Sequence, residues 1–203
     1  TMLNAVPQES TNPVNVQPQY SGMFSLMRIQ KYPVGARLGK GYSSAQIPDG
    51  LSNTVMLSEI LTWDDVNDTG GSIDESVPAG NDDWRGVWMI PSVGASAFTG
   101  KFPPNAKGTG PDFRGTGNID RSDLIPACGT GIENSSSFGE LPCKEERESA
   151  NIWASARSRH NGGVNAAMGD SSVRFVDNEV NGMVWHAMCT RDGGESTDSS
   201  AGL

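Results

Sequence analysis

Histidine and cysteine are both scarce in this sequence. There are two histidines and three cysteines in 203 residues, and no Cys-x-x-Cys spacing. That excludes a zinc ribbon, a thioredoxin-like motif and a His-rich transition-metal centre. No apolar stretch approaches the ~18–20 residues that a membrane span needs. The opening TMLNAVPQES has neither the basic nor the apolar region of a signal peptide. Phosphate-binding loops, dinucleotide fingerprints and the Gly-x-Ser-x-Gly nucleophile turn are also missing. Basic residues are too few to balance the acids, giving a net charge of -9. An acidic surface repels nucleic acid and anionic lipid and takes divalent cations as counter-ions.

Breakers of regular structure are abundant. Gly contributes 25 residues and Pro 12, while five Trp, six Phe and eight Met are enough to build a core. The composition predicts a loop-rich, mostly β domain. Residues 1–44 read as an extended or irregular lead-in. Asp49-Gly50 is a turn signal, and Thr54–Leu61 then reads as a buried strand. Residues 62–83 form an acidic loop. Trp84, Trp88 and Ile90 share one face of a second expected strand over 84–90 by period two. Residues 91–152 lack periodicity and read as a long insertion.

The C-terminal third is more regular. Val164–Met168 and Val173–Val176 flank Gly169-Asp170-Ser171-Ser172, which predicts a β-hairpin. Asp177 offers an N-cap to a short helix whose apolar face carries Val180, Val184 and Ala187, with Met183 and Met188 beside them. Gly193-Gly194 ends the ordered part, and 196–203 reads as a flexible tail.

Two blocks carry a family resemblance. SRHNGGVNAAMGDSSVRFVDNEVNGMVWHAMCTRDGGE resembles the C-terminal signature of a pseudopilin-like family abundant in planctomycetes, named for a His-x9-Asp-Gly motif. His160 and Asp170 hold the His and Asp places, and Ser171 stands where the family has Gly. Gly163, Asn165, Trp185, Arg191 and Gly194 also fit. IPDGLSNTVMLSE, with Asp49, Gly50, Asn53 and Glu59, is similar to a second family segment. The resemblance spans residues 45–195. It implies an α+β, mostly β fold: a pilin-like antiparallel sheet with long loops and a short C-terminal helix. The family's prepilin-type N-terminal helix has no counterpart in this chain. The resemblance further implies export, a cell-surface location, self-association or association with other pilin-like subunits, and no enzymatic activity. A surface module that binds glycan or peptide is the alternative.

A strand between His160 and Asp170 separates them along its length, which argues against a catalytic dyad and for turn-shaping roles. Asp65, Asn67 and Thr69, with Gly70 at the sixth place, match half of an EF-hand-like calcium loop, and Asp74 and Glu75 lie close to the twelfth. The alternative there is a solvated acidic loop. Cys128 and Cys143 bracket a Gly/Ser/Pro-rich loop whose closure by a disulfide restricts the unfolded chain by about 3 kcal/mol. Such a bond requires an oxidising compartment; the alternative is two buried thiols, and Cys189 is left over. Trp84, Trp88, Trp153 and Trp185 read as core more readily than as a sugar platform. Asn67 and Asn134 begin N-glycan sequons, a weak signal.

Overall fold

The computed structural model describes residues 3–4, 22–24, 42–62, 85–89, 93–111, 115, 117–125, 128, 141–145 and 152–193. Their regular elements are mostly strands, with one short α-helix, in line with an α+β, mostly β fold.

The strands in chain order are β1 (Leu3–Asn4), β2 (Val55–Ser58), β3 (Ala97–Phe98), β4 (Thr109–Gly110), β5 (Ile119–Asp120), β6 (Asp123–Ile125), β7 (Cys143–Glu145), β8 (Gly163–Met168) and β9 (Val173–Asp177). Helix α1 is Gly182–Cys189. The main sheet has the order β2-β8-β9 and is antiparallel throughout. β4 pairs antiparallel with β5, whereas β1 with β3 and β6 with β7 are parallel pairs.

Alternation along β8 fixes the two sides of the main sheet. Val164, Ala166 and Met168 are fully buried. They pack with Val55, Phe98, Ala156, Val176, Trp185 and Cys189 into the principal core. Trp185 stacks on Phe98 with ring centroids 6.0 Å apart. Asn165 and Ala167 therefore face the other way, and their β9 partners Phe175 and Val173 lie beside them.

Several expectations need correction. The strand expected over Thr54–Leu61 is confined to Val55–Ser58, with a register shift between Val55 and Leu57. Residues 85–89 form turns and not a strand, and Trp88 is 81% exposed. The cause is Gly86, whose φ of 82° is left-handed and whose N–H donates to Gly94 O. Trp84 and Ile90 lie outside the described residues. The helix is capped by Asn181, whose side chain accepts from the Met183 and Val184 N–H groups. Asp177 accepts from Glu179 N–H in the preceding turn instead. The buried helix residues are Trp185, His186 and Cys189, while Met183 is exposed.

The stretch expected as an irregular insertion holds β3 to β7. Val93, Ala97, Ile125, Cys128 and Cys143 from it form a second small core together with Ala154, just beyond its end. The Cys128–Cys143 disulfide is present, with Cα atoms 5.8 Å apart, and forms part of that core. Cys189 is a free, buried thiol, and burial pushes its pKa well up.

Candidate functional site

The two blocks of sequence that carry the family signature meet at the N-terminal end of β8. Glu59 follows β2 directly, and the β2–β8 register brings it opposite Asn165. The Asn165 backbone N–H donates to Glu59 Oε2 at 2.7 Å, and Asn165 Nδ2 donates to Glu59 Oε1 at 3.1 Å. His160 Nε2 lies 2.9 Å from the same Oε1 and 3.1 Å from Asn165 Nδ2. The His160 ring sits edge-on to Phe175, with centroids 6.5 Å apart.

The His160 turn is held from behind. The His160 N–H donates to Ser158 Oγ, which itself donates to Gly163 O at 2.7 Å. Ser158 N–H donates to Asn105 Oδ1, and Asn105 Nδ2 donates to Asn178 Oδ1. Gly163 is required by close packing: a Cβ there would collide with Val176 O and the Phe175 ring. Partial burial raises the Glu59 pKa, but the hydrogen bonds from Asn165 and His160 outweigh it and hold the carboxyl below its ordinary value.

Asp170 stands apart from this cluster, beyond the far end of β8. Its Oδ1 accepts from Ser172 N–H at 2.9 Å and Ser172 Oγ at 2.6 Å, which lowers its pKa. Ser171 takes φ 71°, the left-handed conformation suited to Gly. Asp49 closes a third contact, accepting the Gly193 N–H at 2.9 Å while its own N–H donates to Arg191 O. Asn53 Nδ2 donates to Asp49 O, and Gly50 has φ 91°. The Arg191 guanidinium lies 3.5 Å from the Tyr42 ring centroid and donates to Gly22 O. Trp185 belongs to the core.

A buried ionic cluster had no local signal in the sequence. Asp123 accepts from Arg157 Nε at 3.0 Å and Nη2 at 2.7 Å, and from Ser155 N–H at 3.0 Å. Arg85 reaches the same carboxylate at 3.4 Å and donates to Leu141 O at 2.7 Å. All three side chains are almost completely buried. Their partners lie tens of residues apart, so only folding reveals the group.

Gly194 and the calcium candidates Asp65, Asn67, Thr69, Asp74 and Glu75 lie outside the described residues. Among the described residues, no three His, Cys, Asp or Glu side chains cluster as a metal site. None of the described helices is long and apolar enough to cross a membrane. Trp153 is half-buried, donates from Nε1 to Ser122 O, and has the Lys101 ammonium 3.2 Å from its ring centroid.

A family model described as a protein of unknown function (DUF1559) matches residues 7–182. The chain belongs to the DUF1559 family. The Glu59–His160–Asn165 cluster and the Asp170 turn of this DUF1559 protein lie inside the matched stretch, whereas Trp185, Arg191 and Gly194 lie beyond it. No curated protein and no solved structure matches the chain.

Proposed function

We propose that this DUF1559 protein is a non-enzymatic extracellular structural or assembly protein. It would be a subunit of a pilus-like or other cell-surface filament, or a pseudopilin of a type II secretion-like system. The observation that carries this reading is the use made of the signature side chains. Asp49 fastens the segment after the helix, Asp170 closes the β8–β9 turn, and Glu59 joins β2 to β8. The Ser158 hydroxyl beside His160 is spent on backbone groups. The Ser158 hydroxyl proton therefore goes to a carbonyl and not to the imidazole. The Cys128–Cys143 disulfide supports an oxidising, exported setting.

Immunogold electron microscopy of the native cell surface, combined with crosslinking, tests the proposal. Label on surface assemblies with crosslinks between identical or pilin-like chains is expected. An unlabelled surface and a strictly monomeric protein overturn it.

A second reading, a glycan- or peptide-binding surface module, is favoured by Trp88 and Met89, which are 81% and 71% exposed on the Gly86 turn. Its test is a glycan array, in which a hit must disappear with Trp88→Ala.

A further inference from the structure

The Glu59–His160–Asn165 group has a geometry that its hydrogen bonds alone do not use up. His160 Nε2, Glu59 Oε1 and the Asn165 side-chain amide form a nearly equilateral triangle with edges of 2.9, 3.1 and 3.1 Å. Ligand atoms at right angles around an ion with bonds of about 2.1 Å lie about 3.0 Å apart. The triangle therefore has the dimensions of one face of an octahedron. Its chemistry is also suited: one imidazole, one carboxylate and, once the amide is turned over, one carbonyl oxygen. Imidazole and oxygen donors together suit first-row transition ions.

In the metal-free arrangement the proton count is awkward. Nε2 meets both Oε1 and Nδ2, and no one tautomer serves both: protonated it faces a second donor in Nδ2, and unprotonated it faces a second acceptor in Oε1. A cation removes that conflict, since all three atoms then act as lone-pair donors toward it.

The supporting contacts are in place. Glu59 Oε2 is fixed by the Asn165 backbone N–H, and the His160 main chain is fixed by Ser158. Such outer contacts orient metal ligands. The side chains of His160 and Glu59 are 53% and 32% exposed, so an ion has access and the remaining coordination positions face water.

We propose that Glu59, His160 and Asn165 form a facial site for a divalent transition-metal ion that fastens the His160 turn to β2 and β8. The site is independent of the surface-assembly reading and would stand if that reading failed. It is also distinct from the oxygen-only calcium candidates at residues 65–75.

The test uses the whole chain, stripped with chelator and then titrated with Co2+ and Mn2+. Selective perturbation of the His160, Asn165 and Phe175 resonances in NMR spectra of the wild type is expected, as is a rise in Tm. His160→Gln should abolish both, with circular dichroism confirming its fold. Asn165→Asp supplies a second reading. Its extra carboxylate repels Glu59 without metal, so the metal-free protein should melt lower and the metal-induced rise in Tm should exceed that of the wild type. Unperturbed His160 resonances at saturating Co2+ overturn the proposal, as does an undiminished metal response in His160→Gln. If His160→Gln does not fold, the wild-type resonances alone decide.

Discussion

Ser171 occupies a backbone position that costs an L-residue roughly 1–2 kcal/mol, and Gly would remove that strain at an entropic cost of roughly 0.5–1 kcal/mol. With φ at 71° and no core contact to lose, Ser171→Gly should raise stability by up to about 1 kcal/mol. A urea melt would show it as a higher midpoint with an unchanged slope. Gly163 is the opposite case. Its missing side chain lets β9 approach, so Gly163→Ala should cost about 1–3 kcal/mol by overpacking. The backbone at Val176 cannot yield as a flexible side chain would. The same melt measures this, and a neutral result would mean that β8 and β9 lie farther apart than described. Ser171 and Gly163 also differ in legibility. The Asp170 turn was visible as a local pattern, but the demand on Gly163 comes from the Val176 carbonyl and the Phe175 ring across the strand pair and was not.

At the scale of elements, the disulfide and the buried ion cluster hold the small second core. The Cys128–Cys143 bond closes a separation of 15 residues. Its removal by paired Cys→Ser substitution should lower stability by about 3 kcal/mol, read from melts of the variant beside the oxidised wild type. Among the described residues, Asp123 pairs with both Arg85 and Arg157, and all three side chains are buried. Asp123→Asn should cost about 3–5 kcal/mol, because it removes a buried negative charge that faces two buried guanidinium groups. A loss below about 1 kcal/mol by chemical denaturation would place the cluster in solvent, where ion pairs are worth that little. Period-two reasoning failed over 85–89 for a related reason. Gly86 turns the chain there, and Arg85 is drawn inward to Asp123 while Trp88 is left outside.

At the scale of the whole molecule, pH should act through carboxylates that are ionised more readily when folded. Asp120 is held at about 2, since the Lys144 ammonium and Ser122 outweigh its partial burial, and Glu59 and Asp170 are lowered as well. Below their ordinary values, the unfolded chain binds these protons more readily than the folded one. Stability should therefore be full above about pH 4–5 and fall as the pH drops from there toward 2. Thermal melts between pH 2 and pH 6 measure this. A flat profile across that range would remove these contacts from the folded state.

The sequence by itself determined the hairpin around Asp170, the presence of a short C-terminal helix and the mostly β character, and it set Cys128 and Cys143 at the two ends of a loop that a disulfide could close. Each is local, written in turn residues, short-range periodicity or a short loop between two thiols. Tertiary structure alone decided that Glu59 meets His160 and Asn165, that Asp123 lies buried beside two arginines, and that the described residues between 93 and 145 carry strands around a second core shared with Ala154. Those outcomes depend on pairing between distant segments, where burial and backbone hydrogen bonding choose the partner and a linear pattern carries no record of the choice.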